Sequence, residues 1–238
     1  MIDPRKLLPD TVPVVINNFN RLDSLRIQID WLCGLDEPVS IIILDNASTY
    51  PPLRRYYRTL RGRPNIQVVF LGYNSGLEGI SDVADELRDC PCYVVTDPDL
   101  VPYASTPSDI LARMRAVLQN HEALNHVGAS MEIDDIPDVY PMKAEVVEWE
   151  SRYWPPQARA VDDVGYAAWV DTTFGMYRGT SDVTRIEPAL RLARPYTLRH
   201  VDWYADPTRL SDEQRYYQKT CRDIGSWTTR LRARRPGG

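Results

Sequence analysis

The first hundred residues constrain the fold most, because short β-branched runs alternate there with longer segments whose apolar residues recur at helical spacing. That alternation is the pattern of β-α-β units around a parallel sheet. Runs at 12–19, 39–44, 66–71 and 92–95 are predicted strands. Between them Leu25, Ile29 and Leu32 form a stripe behind Asp23 as a helix N-cap. Pro51 and Pro52 open a helix carrying Leu53, Tyr57 and Leu60, and residues 77–87 make a third. The predicted class is α/β, one fused domain with helices on both faces of the sheet.

Each predicted strand runs into polar residues: Asn18-Phe19-Asn20-Arg21, Asp45-Asn46, Gly72-Tyr73-Asn74 and Asp97-Pro98-Asp99. Ligands of open parallel sheets bind outside the carboxyl ends of the strands, so these ends describe one site. Asp97 and Asp99 are alternate residues of an extended chain and project to one side, where they can share a hard cation, Mg²⁺ or Mn²⁺. Such a cation neutralises a diphosphate and assists its departure. A chance Asp-x-Asp is common, and this one gains its weight from its place after the fourth strand.

The net charge of -5 argues against a nucleic-acid binder, and a phosphate-bearing ligand would then need the cation. No run approaches the length of a membrane span and no signal-peptide pattern opens the chain, so a cytoplasmic protein is expected. Cys33, Cys90, Cys92 and Cys221 lack the spacing of a zinc site and read as free thiols. The arginine-rich end, residues 230–238, reads as a flexible tail whose membrane contact is at most peripheral. A homo-oligomer is compatible with this composition.

The second half is less regular. Residues 108–119 read as an amphipathic helix, 126–133 as a strand, 143–153 as a helix, and 166–170 and 173–178 as strands. Ser211 with Gln214 forms a capping box for a helix reaching Cys221.

Four segments together resemble glycosyltransferases of the GT-A fold, family 2-like. Residues 14–21, VVINNFNR, are similar to the family's first-strand segment, although Asn18-Phe19 stands where Thr-Tyr is usual. Residues 42–48, IILDNAS, resemble the second-strand motif, YNSGLEG at 73–79 the Asn-x-Gly loop, and TDPD at 96–99 the metal-binding triplet. The resemblance implies a nucleotide-sugar half at 1–100 and an acceptor and catalytic half at 101–229. It also implies transfer of a sugar from a nucleoside diphosphate, UDP favoured, to a hydroxyl of a polysaccharide or secondary metabolite, with inversion favoured.

By this reading Asn18, Phe19, Asn20, Arg21, Asp45, Asn74 and Asp97 hold the nucleotide, with Asp97 and Asp99 on the metal. Many GT-A enzymes carry a metal-binding histidine in a late segment, which implies that His200 completes the site, with Arg199 beside it for phosphate. The family's Glu-Asp base pair has no clear copy. Its role falls among Asp134, Asp135, Glu148, Glu150, Asp162, Asp163 and Asp171, with Asp171 preferred because apolar neighbours can raise its pKa; Asp135 and Glu148 are the alternates. The missing Gly-x-Gly-x-x-Gly after the first strand argues against a dinucleotide-binding enzyme. A sugar nucleotidyltransferase and a non-catalytic carbohydrate-binding module are the rival readings.

Overall fold

The computed structural model describes residues 1–76, 78–170, 174–222, 227, 228 and 230. Four parallel strands, β1 (Val12–Asn18), β2 (Val39–Asp45), β3 (Ile66–Phe70) and β4 (Cys92–Thr96), lie in the order β3-β2-β1-β4. Their apolar residues divide by parity into two layers. Val14, Ile16, Ile41, Ile43 and Val94 pack with Leu25, Ile29 and Leu32 of α1 (Asp23–Leu32) and Leu53 of α2 (Pro51–Leu60). Val15, Ile42, Leu44 and Val95 pack with Ile80 and Val83 of α3 (Glu78–Glu86). Side chains of a strand alternate between faces, so an all-apolar strand needs a helical layer on each side. Truncating a fully buried residue such as Ile29, 1% exposed, to Ala costs about 2–5 kcal/mol.

Asp23 is not the cap of α1. The N-cap position is Leu22, which offers no side-chain acceptor. A carboxylate from the distant α6 (Asp212–Thr220) does the work: Glu213 Oε2 accepts the backbone N–H groups of Leu22 and Asp23. The expected Ser211–Gln214 capping box opens α6 itself.

The second half extends the same sheet. The strand β10 (Gly175–Arg178) pairs antiparallel with β4, followed by β6 (His126–Gly128), β11 (Ala189–Leu192), β9 (Gly165–Ala167) and β8 (Arg159–Val161), giving nine strands. The helix α4 (Ile110–Asn120) covers this region with Met114 and Val117 inward, and α5 (Lys143–Ser151) follows. The strand expected at 126–133 is broken at Ala129, because the chain changes partners there: Ala129 N–H donates to Phe174 O and Ser130 N–H to Tyr196 O. Beyond the break β7 (Ser130–Met131) joins a small sheet with β12 (Thr197–His200) and β5 (Leu100–Pro102), in the order β5-β12-β7. The four cysteines are free thiols. Among the described residues, no helix is long and apolar enough to cross a membrane.

Candidate active site

A cavity of about 660 Å³ opens beyond the carboxyl ends of β1 and β4. Parity on β1 decides which residues reach it. Asn17, Phe19 and Arg21 line the cavity, whereas Asn18 and Asn20 are wholly buried behind it. Asn18 Nδ2 donates to Tyr57 Oη at 2.7 Å and to the Arg21 carbonyl. Asn20 sits at φ 54°, a left-handed geometry that asparagine tolerates, and its Oδ1 accepts the backbone N–H groups of Thr49 and Tyr50. Both asparagines therefore brace the site and do not line it.

The same division holds at the end of β2. Asp45 is 3% exposed and lies outside the cavity wall; its oxygens accept from Tyr57 Oη at 3.0 Å and Ser48 N–H at 3.1 Å. Burial and the Asp45 charge push the Tyr57 phenol well above its ordinary value. The neighbouring Asn46 lines the cavity instead. Its Nδ2 donates to Asn17 Oδ1 at 2.6 Å and its Oδ1 accepts from Ser75 N–H and Oγ, joining the first three strand-end loops. Asn74 also lines the cavity, and its Oδ1 accepts from Gly76 N–H, where φ is 56°. Glycine carries that conformation without steric cost.

The loop after β4 is held from α1. Gln28, wholly buried, places Nε2 within hydrogen-bond distance of Thr96 Oγ1 (3.3 Å), Asp97 O (2.9 Å) and Leu100 O (3.0 Å). Strand pairing then brings in the C-terminal segment: His200 is the register partner of Leu100, and Val201 N–H donates to Asp99 O at 2.8 Å. The imidazole Nε2 thereby stands 3.9 Å from Asp99 Oδ2, with its ring stacked on Trp203 at 4.9 Å. Asp97, Asp99 and His200 all line the cavity.

Arg21 is a buried counter-charge inside this wall. Its guanidinium lies 2.5 Å from Asp202, 3.6 Å from Asp99 and 3.6 Å above the centre of the Tyr217 ring. Burial opposes the charge on Arg21, but Asp202 and Asp99 outweigh it and raise its pKa. For Asp202, burial likewise works against ionisation, while Arg21, His200 and Thr228 hold the carboxyl below its usual value.

Across the cavity, α5 presents Trp149, 42% exposed, and Glu150, 3% exposed and ion-paired with Arg191. Arg191 Nε also donates to Trp169 O at 2.6 Å. Glu148 is exposed on the same helix and does not reach the cavity. Arg199 pairs with Asp135 between the rings of Tyr103 and Tyr204, so these two expected site residues meet each other away from the cavity. Adjacent strand residues face opposite sides, and His200 facing inward turns Arg199 outward. Burial pushes Asp135 up, but Tyr204 and Arg199 prevail and hold it below the carboxylate range, which suits a structural anion better than a base. Asp171 lies outside the described residues.

The donor set fits a divalent cation. Asp99 Oδ1 and His200 Nδ1 are buried without hydrogen-bond partners, and Asp99 Oδ2 and His200 Nε2 face each other. Among the described residues no group of three His, Cys, Asp or Glu side chains stands ready to hold a metal. A cation here would therefore draw its remaining ligands from substrate oxygens and water, as Mg²⁺ commonly does.

Comparison with solved structures agrees with this architecture. The S. aureus TarS 1–349 structure aligns at TM-score 0.52 and 14% identity over 88% of this chain and 64% of that one. The same TarS fragment in complex with UDP-GlcNAc aligns at TM-score 0.51, 14% identity, over 88% and 65%. S. aureus TarS itself aligns at TM-score 0.52 and 14% identity, over 94% of this chain and 42% of that one. The chain has the GT-A glycosyltransferase fold. It spans less than two thirds of the length of these GT-A chains. No family model matches it, and no curated protein matches it. The GT-A topology puts the cavity at the point where strand order reverses between β1 and β4, the place such sheets bind ligands.

Proposed function

We propose that this protein is a metal-dependent glycosyltransferase that moves a sugar from a nucleoside diphosphate, with UDP favoured, to an acceptor hydroxyl with inversion. The observation that carries the reading is the convergence of Asp99 and His200, from segments a hundred residues apart, beside an open cavity at the strand-order switch. Asn17, Phe19, Asn46 and Asn74 form the wall for the nucleoside, with polar edges for the base and ribose and the Phe19 ring for stacking. Asp45 supports that wall through Tyr57 and the backbone of Ser48. Asp97, Asp99 and His200 would hold Mn²⁺ or Mg²⁺, which when bound supplies charge neutralisation at the diphosphate and Lewis acidity for its departure. Imidazole among the donors favours Mn²⁺ over Mg²⁺.

Arg21 lies against both Asp99 and Asp202, so the acidic wall is organised before any ligand arrives. Trp149 offers an apolar face to an acceptor sugar or polyol, and the Glu150–Arg191 pair floors that side. Asp171 is the proposed general base, a reading that rests on its apolar and aromatic sequence neighbours Trp169, Val170 and Phe174. The test is release of UDP from a panel of UDP-sugars with and without Mn²⁺. Asp99→Ala is expected to slow it about a hundredfold to a thousandfold, the usual cost of losing a preorganised charge-stabilising group. Unchanged turnover in Asp99→Ala would remove the basis of the reading. Asp171→Asn is expected to keep nucleotide binding and abolish transfer; transfer at the normal rate would overturn the assignment of the base.

A further inference from the structure

A second cleft of about 680 Å³ lies at the opposite border of the sheet, between α2, the N-terminal residues and the outer edge of β3. Arg54, Arg58 and Arg61 line it at i, i+4 and i+7, a single helical face. All three are exposed, α2 carries no acidic residue, and among the described residues none of the three joins an ion pair. The one acid on the lining, Asp3, is already clamped by Arg5 through Nε at 3.0 Å and Nη2 at 2.9 Å. Like charges at this spacing repel each other, a cost that no ion pair relieves among the described residues, in a chain whose net charge is -5.

The floor of the cleft is an open sheet edge. Among the described residues β3 pairs with β2 alone. Ile41 N–H donates to Asn65 O and Leu71 N–H to Asp45 O, so the odd-numbered residues of β3 face β2. Val68 and Phe70 consequently turn their backbone groups outward into the cleft, and the Phe70 side chain is 62% exposed. Unpaired strand edges are templates for another strand.

We infer that this cleft binds an extended acidic polypeptide segment, which adds to β3 as a further strand and sets its carboxylates against the arginine row. The spacing agrees: the first two arginines are about 6 Å apart along the helix axis, and alternate side chains of a strand about 6.6 Å apart. The outward N–H and C=O groups supply the main-chain ladder, Phe70 an apolar contact for one side chain, and the arginines the preference for acid.

The test is fluorescence anisotropy on the full chain with a labelled short peptide of alternating Glu and Val. Saturable binding is expected, lost with a Lys-Val peptide and weakened about tenfold or more by Arg54→Glu/Arg58→Glu. Both substitutions are on exposed positions, and circular dichroism verifies that the double variant is folded. A Glu-Val peptide N-methylated at alternate residues keeps its charge and loses the ladder, and is expected to bind about tenfold more weakly or worse. Equal binding of the N-methylated peptide would overturn strand addition. Absence of saturable binding, or indifference to Arg54→Glu/Arg58→Glu, would overturn the site. Sedimentation with phosphatidylglycerol vesicles through Arg54 and Arg58, without peptide binding, would replace it by an anionic lipid surface.

Discussion

Replacing Arg21 by Met leaves a similar volume in the wall and removes the guanidinium that meets both Asp99 and Asp202. Asp202 is 6% exposed and Asp99 9%, so water cannot take over the lost interaction fully. Breaking a buried pair from one side costs about 3–5 kcal/mol, because the remaining charge stays desolvated. The pH dependence gives the argument its sign. In the wild type Asp202 titrates below its ordinary value, so its contribution is complete above the unfolded pKa and fades only as pH falls through the lower, folded pKa. In Arg21→Met burial is opposed by His200 and Thr228 alone among the named causes, the folded pKa of Asp202 rises, and the penalty is relieved as acid protonates it. Urea unfolding at pH 7.5 should show the full loss, and at pH 5 a smaller one. Arg21→Met/Asp202→Asn should recover most of it at pH 7.5, the coupling expected of contacting residues. A loss under about 1 kcal/mol, or one equal at both pH values and unrelieved by Asp202→Asn, would refute the view of Arg21 as an internal counter-charge.

Other outcomes follow from single contacts. Glu213→Ala uncaps α1 from across the fold and should cost about 0.5–2 kcal/mol in denaturant unfolding, without changing a nucleotide affinity measured on the folded protein. Gln28→Ala leaves the carbonyls of Asp97 and Leu100 without their side-chain donor; a stability loss of about 1–3 kcal/mol with weaker UDP–Mn²⁺ binding is expected by calorimetry. Trp149→Ala should raise the acceptor KM about threefold to tenfold and leave donor KM alone, as loss of a stacking face would; an unchanged acceptor KM removes Trp149 from the acceptor wall.

Most of the first half was legible because its signals are redundant. Strands buried on both faces read as continuous apolar runs, and the helices between them repeat Leu25-Ile29-Leu32 or Leu53-Tyr57-Leu60 on one side. The second half uses strands such as β8, β11 and β12, too short for a periodicity to build up, and β6 and β7 belong to different sheets although they are almost contiguous. Long-range partners, not local pattern, define these elements. Within the site, types of residue were legible and orientation was not. Asn18, Asn20, Asp45 and Arg199 stand one position away from Asn17, Phe19, Asn46 and His200, and parity sends the two sets to opposite faces. Applying that alternation strictly to β12 would have separated Arg199 from His200. Nothing local could have revealed Gln28 behind the Asp97 loop or Glu213 at the start of α1, because both act across large sequence separations.

The central claim is that segments from both ends of the chain meet around one cation and a nucleoside diphosphate. Isothermal titration of UDP into the wild type, Asp99→Asn and His200→Ala, each with and without Mn²⁺, tests it most directly. The account predicts that Mn²⁺ tightens UDP binding in the wild type and that each substitution removes most of that gain while leaving the weaker metal-free binding in place. UDP affinity indifferent to Mn²⁺ in the wild type, or a metal effect undiminished in both variants, would contradict it.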